Sequence, residues 1–302
     1  PYSMRKQEIC CKGDNKLKKI IDFFIIVIVC GICLTGCGKG KKVSDKQDFK
    51  VDGISEIHVS LESWELKVDE SPDEKIHVSY SGTIEKEKSD IAVVQKDITL
   101  NILQSDKQQN MAEQFSAGKP GEITVYLPKG IEIPFKISNG SGNMQIDNIS
   151  IQELSLVNTS GYVVLSNVTV SNAKIVTTSG DVTFENSTIP DVEIVSKSGY
   201  VTLKDVNFDS LAIVTSSGEV GVGGAGVYSA LKVQTDSGDV SVSHKESPTD
   251  LQLDVTTDSN DITMQLSNID FTKDTSGCKQ GNIGQGNNKL EISSSSGTII
   301  VK

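Results

Sequence analysis

The chain has 302 residues, a formal net charge of −11 and a hydrophobic fraction of 36%. This length exceeds that of an ordinary compact domain, although a repeat array can reach it as one body. Abundant glycine, serine, threonine, valine and asparagine favour strands and turns over helices, so the composition predicts an all-β protein. Arg5 is the only arginine. An acidic chain with so little arginine lacks the basic patches that bind phosphate backbones, which excludes nucleic acid as a partner.

The first 36 residues have the features of a secretory signal peptide. A basic stretch that includes Arg5 and Lys19 precedes an apolar core of 12 residues at 23–34. A core of this length is too short to span a bilayer as a permanent helix. We therefore expect residues 1–36 to direct export and not to belong to the folded domain.

The apolar core ends in Leu34, Thr35, Gly36 and Cys37, a sequence that resembles a bacterial lipobox. The resemblance implies that the Cys37 thiol receives a diacylglyceryl group and becomes the first residue after cleavage. Two acyl chains give stable membrane anchoring. The alternative is an ordinary signal peptide or signal anchor that contains a cysteine by chance. The lipobox predicts an extracytoplasmic protein, lipid-anchored to the cell membrane.

Removal of the leader would make the remaining chain more acidic. The leader carries six of the 29 basic and three of the 40 acidic residues, which leaves 23 and 37 and a net charge of −14. Four of the six cysteines also leave, Cys37 would be lipidated, and Cys278 remains alone. A single cysteine forms neither a disulfide framework nor a cysteine-rich metal site within one chain. We predict no cofactor.

The segment after the anchor divides into a tether and a β-rich lead-in. Residues 37–48 are mainly glycine, lysine, serine and aspartate, which predicts a flexible tether. Residues 49–137 contain alternating apolar and polar positions that predict short strands at 54–59, 64–68, 76–80, 98–102 and 123–127. We expect these strands to form an antiparallel sheet that caps the open end of the repeat that follows.

Ser-Gly pairs recur from residue 138 onward with a nearly constant period. The first four intervals are 19 residues and the fifth is 20. The pairs begin at Ser141, Ser160, Ser179, Ser198, Ser217 and Ser237, and Ser259-Asn260 and Ser296-Gly297 follow. A period of this size is typical of a solenoid, in which each coil buries its apolar side against its neighbours.

Six apolar positions in each repeat predict the core of this solenoid. With Ser141 as position one, the apolar residues recur in three pairs, at positions four and six, nine and eleven, and fourteen and sixteen. Position eleven, for example, is Ile151, Val170, Ile189, Phe208 and Val227. The pattern predicts a parallel β-solenoid at 138–302 with three short strands in each coil of about 19 residues. Strand twist and crossover handedness favour a right-handed coil.

Two polar positions mark the predicted corners of the coil. Glycine at position two suits a corner that needs either positive φ or a close backbone approach. Position eight is Asn148, Asn167, Asn186 and Asp205, which predicts a second corner with a polar ladder. The period fails after Ser259, so we expect an irregular excursion at 267–288 and a closing coil formed by 290–292 and 298–301.

The segment 123–130, which reads ITVYLPKG, precedes the serial Ser-Gly-Asp-Val units. Together these features resemble the bacterial putative-adhesin family of uncharacterised β-strand-repeat proteins over about residues 50–302. The resemblance implies a β-solenoid and placement at the cell surface or envelope. The family carries no established catalytic residues, so the resemblance assigns none to this chain.

Exposed aromatic side chains are the candidate contact residues. Tyr162 and Tyr200 occupy position three of coils two apart, and Tyr228 lies in a later coil. We consider all three as contacts for a sugar or a protein, with partly buried corner tyrosines as the alternative.

Acidic side chains recur at outward positions, but solvation explains them without catalysis or metal binding. Position three holds Asp181, Glu219 and Asp239, and position seven holds Asp147, Glu185 and Lys204. Paired carboxylates can hydrolyse glycosides or bind calcium, yet outward strand positions are polar in any solvated sheet. His58 and His77 precede valines on separate predicted strands, so we expect both imidazoles to face solvent. No catalytic residue and no metal ligand is predicted.

The sequence therefore favours an envelope-anchored lipoprotein that works as a binding, adhesion or scaffolding module. Its partners would be the membrane, through the N-terminal lipid, and an unidentified protein or glycan. One alternative is an accessory or sensor component of an envelope-stress signalling system. A second is a carbohydrate-active β-solenoid enzyme.

Overall fold

The computed structural model describes residues 41–84, 89–106 and 121–302. Within these ranges the chain forms 25 β-strands in two sheets, with 12 strands in sheet A and 13 in sheet B, and it contains no helix. The described part therefore has no helix that could cross a membrane. Most neighbouring strands are parallel, which confirms the predicted all-β, solenoid-like class.

The seven strands before the repeat occupy both sheets. They are β1 (Lys41–Lys50), β2 (Glu56–Leu61), β3 (Glu65–Glu70), β4 (Lys75–Ile84), β5 (Ser89–Lys96), β6 (Thr99–Asp106) and β7 (Glu122–Leu127). Sheet A contains β1, β3, β4 and β7, and sheet B contains β2, β5 and β6.

Each coil of the repeat then contributes one longer strand to sheet B and one short strand to sheet A. The sheet B strands are β8 (Phe135–Asn139), β10 (Ser150–Asn158), β12 (Thr169–Thr177), β14 (Asp191–Ser198), β16 (Ser210–Ser217) and β18 (Ala230–Ser237). The sheet A strands are β9 (Met144–Asp147), β11 (Val163–Ser166), β13 (Val182–Glu185), β15 (Val201–Lys204), β17 (Val220–Ala225) and β19 (Val240–His244).

Successive coils stack in register, so that equivalent residues lie side by side. Val163 pairs with Val182, and Val182 pairs with Val201, and all three side chains are fully buried. The resulting columns of Val, Ile and Leu form one continuous core. Each buried methylene contributes about 0.8 kcal/mol of transfer free energy, so the columns stabilise the array without helices.

The third predicted strand exists only in reduced form. In β10 and β12 it is the beginning of the longer strand, because both strands start at position ten of their coils. In later coils it is reduced to isolated bridges, which join Thr169 to Thr188 and Thr188 to Asn207. The coil therefore has two sheets and a short third side.

The glycines of the Ser-Gly pairs form the most crowded column. A Cβ atom on Gly180 would lie 2.0 Å from the Gly161 carbonyl oxygen, and one on Gly218 would lie 2.1 Å from that of Gly199. Only three glycines of the column, Gly161, Gly199 and Gly218, have positive φ. Close backbone approach is therefore the common requirement at this corner.

A column of buried polar side chains, which sequence analysis missed, supports the same corner. The residue two places before each Ser-Gly pair is Asn139, Asn158, Thr177, Ser196, Thr215, Thr235 or Ser294, and all are buried. Asn158 Nδ2 donates to the Gly161 carbonyl oxygen at 2.9 Å, and Thr177 Oγ1 accepts from Gly180 N–H at 3.1 Å. In five coils, through Asn139, Asn158, Thr177, Ser196 and Ser294, these short side chains satisfy backbone groups that the tight corner leaves without strand partners.

Position eight forms the second predicted corner. Asn148, Asn167, Asn186 and Asp205 all have φ between 49° and 55°, a left-handed conformation that Asn and Asp tolerate better than other non-glycine residues. Asn167 Nδ2 donates to Asn148 Oδ1 at 3.4 Å, which is one link of the predicted ladder.

The amino-terminal boundaries differ from those predicted. Residues 41–48, predicted as part of a flexible tether, belong to β1, which pairs with β4 in antiparallel orientation over ten residues. The lead-in at 49–137 is also not purely antiparallel, because β2 and β3 lie parallel to β8 and β9. The parallel stack thus begins near residue 54 and not at 138. The antiparallel caps are β1 and β4 on sheet A and β5 on sheet B.

The corner between β2 and β3 lacks a Ser-Gly pair and is stabilised by Gln104. Its buried side-chain oxygen accepts the backbone N–H groups of Glu62, Ser63 and Trp64, each at 3.1 Å. The buried Trp64 ring packs against Gly121, where a Cβ atom would lie 2.3 Å from the ring. This acceptor role fixes the buried Gln104 side chain at the corner.

The carboxyl-terminal strands are not stacked in chain order. They are β20 (Leu251–Thr257), β21 (Ile262–Met264), β22 (Asp270–Thr275), β23 (Cys278–Ile283), β24 (Lys289–Ser296) and β25 (Ile299–Val301). The coil of β24 and β25 inserts between that of β18 and β19 and that of β20 and β21. Residues 290–301 therefore do not close the stack. The predicted excursion at 267–288 contains the β22–β23 hairpin, which caps sheet B in antiparallel orientation.

We predict that Gly180→Ala lowers the free energy of unfolding by about 1–3 kcal/mol, because the new methyl group overpacks the corner. Gly221→Ala is the matched control, since a Cβ atom there has no neighbour within 4 Å and φ is not positive. Chemical denaturation of both variants measures the difference. Equal stability of the two variants would contradict the close-approach explanation.

Candidate functional site

Four exposed apolar side chains of the repeat lie on the two sides of the Ser-Gly corner. We define the corner ridge as the outward residues at position seventeen of one coil and position three of the next. It comprises Val157, Val176, Val195 and Val214 on sheet B and Tyr162, Asp181, Tyr200 and Glu219 on sheet A. Val157, Tyr162, Tyr200 and Val214 are 47%, 49%, 54% and 42% exposed.

The valines form a ladder on the outer face of sheet B. Val157 pairs in register with Val176, Val176 with Val195, and Val195 with Val214. Strands lie about 4.8 Å apart, so the ladder extends about 14 Å. Sequence analysis missed it, although a valine three places before four successive Ser-Gly pairs, from Ser160 to Ser217, was a readable signal.

The tyrosines are held in place by polar side chains of the preceding coil. Asn143 Oδ1 accepts the Tyr162 backbone N–H at 3.2 Å, and Asp181 Oδ1 accepts that of Tyr200 at 2.9 Å. Tyr162 precedes β11 and Tyr200 precedes β15. These strands are two coils apart, so the tyrosines lie about 10 Å from each other. The rings are thus presented on a fixed backbone.

Accepting a backbone N–H of the next coil also explains Asp181 and Asp239, two carboxylates that sequence analysis considered for acid–base chemistry. Asp239 Oδ1 accepts the backbone N–H of Thr298 at 2.7 Å, as Asp181 does for Tyr200. Position three therefore supplies an acceptor for the next coil at the corner. A shallow groove of about 290 Å³ lies beside this row, lined in part by Tyr200, Glu219 and Gly221.

The position-seven residues Asp147, Glu185 and Lys204 share one outward row, in register with Ser166. Asp147 accepts a hydrogen bond from Gln145 at 2.6 Å. In the described ranges, no group of three or more His, Cys, Asp or Glu side chains is arranged to hold a metal ion. The structure therefore brings no metal centre together from these residues.

The prediction that Tyr228 is an exposed contact is wrong. Tyr228 is 4% exposed, whereas Val227, predicted to face inward at position eleven, is 90% exposed. The cause is the one-residue insertion in this coil, which places Tyr228 and not Val227 in the inward column. The Tyr228 ring stacks on that of Phe208 at 5.5 Å between centroids.

A histidine continues this aromatic column. The His244 and Tyr228 rings are 5.8 Å apart at an angle of 28°, and Tyr228 Oη lies 2.9 Å from His244 Nε2. His244 Nδ1 donates to the Lys302 main-chain oxygen at 3.1 Å, so in the neutral ring Nε2 accepts the tyrosine O–H. Burial lowers the pKa of His244, against the opposing effect of the Lys302 hydrogen bond, and burial raises the pKa of Tyr228.

A second histidine forms an unexpected polar cluster at the amino-terminal cap. His77, predicted to face solvent, is buried between Asp48 of β1 and Asp73, with Nδ1–Oδ1 and Nε2–Oδ1 distances of 2.7 and 2.9 Å. The hydrogen bond from His77 lowers the pKa of Asp48. The cluster links β1 to β4 and to the turn before β4. Its carboxylate–imidazole hydrogen bonds are strengthened by charge.

Comparison with protein-family models identifies the family of the chain. Residues 54–302 match the family model described as Toastrack DUF4097. The chain belongs to this family. The Toastrack match begins at Ile54, which agrees with the observed start of the parallel stack at β2 and not with the predicted start at 138. A comparison with curated proteins found no match.

Two solved structures show the Toastrack fold at low sequence identity. One is a putative adhesin from Bacteroides fragilis NCTC 9343, with 16% identity, a TM-score of 0.53, and coverage of 86% of this chain and 97% of that chain. The other is a putative lipid binding protein from Parabacteroides distasonis ATCC 8503, with 14% identity, a TM-score of 0.51, and coverage of 86% and 96%. At such identities the likeness establishes the fold alone.

The Tyr228–His244 pair predicts a pH dependence of stability. Because the folded-state pKa of His244 is lowered, the unfolded chain takes up a proton below about pH 6.5 that the folded chain resists, and stability falls as the pH drops. His244→Gln removes this contribution, so its free energy of unfolding should decline less between pH 7.5 and 5 in denaturant titrations. Parallel pH profiles of the variant and the parent would contradict the assignment.

Proposed function

We propose that this Toastrack protein is a lipid-anchored envelope protein that binds a surface ligand, a glycan or a protein, through the corner ridge. The observation that carries the proposal is the exposure of tyrosines and valines in one register on a rigid acidic scaffold. Contiguous apolar surface on a soluble domain commonly marks an interaction site.

The chemistry of the ridge suits adhesion. Tyrosine offers a large, flat contact area with a polar tip and loses little conformational entropy on binding. Asn143 and Asp181 fix the backbone at Tyr162 and Tyr200, which lowers the cost of ordering the surface. The description of the Bacteroides fragilis neighbour as a putative adhesin agrees with this proposal.

Catalysis is not part of the proposal. Asp181 and Asp239 each accept, through Oδ1, a hydrogen bond from a backbone N–H group of the next coil. These two carboxylates therefore have a structural role that accounts for their presence. No observation favours the signalling alternative over binding.

Membrane attachment is proposed from the leader and the lipobox at Leu34–Cys37, which lie outside the described residues. A basic stretch, a short apolar core and a cysteine in this order are the features that support it. With Cys37 lipidated, the domain would start within a few residues of the membrane, since β1 begins at Lys41.

The ridge is tested with beads coated with the processed protein and applied to a glycan panel and a panel of immobilised surface proteins. We predict that Tyr162→Ala combined with Tyr200→Ala weakens binding at least about tenfold, as expected for aromatic hot spots. The double Phe variant keeps the rings and should retain binding. Leu103→Ala, which removes an exposed apolar side chain (40% exposed) on β6, is the matched control. Undiminished binding by the double Ala variant would refute the role of the ridge.

The anchor is tested by metabolic labelling with palmitate in a bacterial host. We predict that Cys37→Ala abolishes labelling and globomycin-sensitive processing, whereas Cys278→Ala leaves both unchanged. Cys278 is the appropriate control because it is the only described cysteine and is buried. A wild-type product that is secreted without lipid would rule out the anchor.

A further inference from the structure

A pocket of about 230 Å³ opens on the third side of the coil, where the aromatic column ends. The pocket is lined by the loop 225–228, by the loop 244–251 and by Asn288. This pocket does not include any residue of the corner ridge. Drug-sized ligands occupy pockets of roughly 300–1,000 Å³, so this one fits a single ring with its substituents.

The pocket floor is a preorganised ring surface. Phe208, Tyr228 and His244 stack in succession, and His244 is the last ring of the described column. Both imidazole nitrogens are engaged, Nε2 with Tyr228 Oη and Nδ1 with the Lys302 main-chain oxygen. The ring is therefore locked in one tautomer and orientation, and it lines the pocket next to Tyr228.

Hydrogen bonds from residues 287 and 288 hold the loop 244–251 in place. Asp250 accepts hydrogen bonds from Asn287 N at 2.9 Å and Asn287 Nδ2 at 2.7 Å. Asn288 Nδ2 donates to the Asp250 main-chain oxygen at 3.1 Å. The Asp250 carboxylate is thus committed to the structure, and the pocket shape is held without a ligand.

The rim defines the chemistry of the occupant. Val227 and Pro248 supply apolar contacts, and Val227 is exposed to an extent that is unusual for a valine inside a repeat. Lys245 and the carboxylates of Glu246 and Asp250 give the lining one positive and two negative charges, and Ser247 and Thr249 add hydroxyl groups. An occupant must therefore have an apolar face for the floor and several groups at its edge that both donate and accept hydrogen bonds.

We propose that this pocket binds one neutral sugar unit, a hexopyranose whose apolar face continues the Phe208–Tyr228–His244 stack. The hydroxyl groups at the edge of the sugar then meet the polar rim. An aromatic ring fits the floor but leaves the rim groups without partners, and an acidic sugar is repelled by the lining, in which Glu246 and Asp250 outnumber Lys245. This site is independent of the ridge and adds a specific subsite to the molecule.

The test uses the full processed chain in detergent, labelled with ¹³C-histidine, because the protein has only three histidines. A panel of neutral monosaccharides, with glucuronic acid, glucosamine and phenol as comparison probes, is titrated to tens of millimolar. We expect at least one neutral sugar to shift the His244 ring resonance in a saturable manner, while the His58 and His77 resonances stay unchanged. His244→Phe assigns the resonance by its disappearance.

Ser247→Trp, a substitution at an exposed rim position, fills the pocket without altering the core and should weaken sugar binding at least about tenfold. Tyr162→Ala, on the ridge, should leave sugar binding unchanged, which separates this site from the proposed ridge function. The proposal is overturned if no neutral sugar shifts His244, if only phenol or the charged sugars do so, or if Ser247→Trp binds as tightly as the parent.

Discussion

Close backbone contact at the Ser-Gly corner is the constraint on which the rest of the structure depends. Each glycine lies against the carbonyl oxygen of the preceding coil, at distances that exclude a Cβ atom. Once the backbones meet there, the strands on either side of the corner are brought into register, and their inward Val, Ile and Leu side chains form columns. Buried side chains beside the corner, such as those of Asn158 and Thr177, then satisfy backbone groups that the tight turn leaves unpaired.

The same contact explains why the coils are not stacked in chain order at the carboxyl-terminal end. Ser296-Gly297 retains the glycine, and a Cβ atom at Gly297 would lie 2.1 Å from the Gly238 carbonyl oxygen. Ser259 is followed by Asn260, whose Cβ atom cannot occupy such a contact. The coil of β24 and β25 therefore takes the place beside β18 and β19, and the coil with Asn260 lies outside it. Antiparallel strands then cover both ends of sheet B and the amino-terminal end of sheet A, which limits edge-to-edge association there.

Sequence periodicity predicted the parallel class, the inward columns and both corners, because each coil repeats the same local requirements. It did not predict features that arise from long-range contacts or from a change of register. The inward place of Tyr228 follows from a one-residue insertion, and the acceptor role of Gln104 depends on a corner about 40 residues away. The tether at 37–48 was predicted from composition alone, but pairing with β4 makes residues 41–48 part of a strand. Of the candidate contacts, Tyr162 and Tyr200 lie on the surface, whereas the predicted exposure of Tyr228 was wrong.

The repeated corner thus produces both the scaffold and the surface on which the function is proposed. If the corner governs stacking, then the coil of β24 and β25 must lie inside the coil of β20 and β21. Amide hydrogen exchange in β25 tests that claim most directly. If β25 lies between β19 and β21, its amides are bonded on both sides, as in the 2.9 Å hydrogen bond from Ile299 N–H to the Asp261 carbonyl oxygen. The structure predicts that Ile299–Val301 exchange as slowly as the amides of β15. Rapid, edge-like exchange of Ile299–Val301 would contradict it.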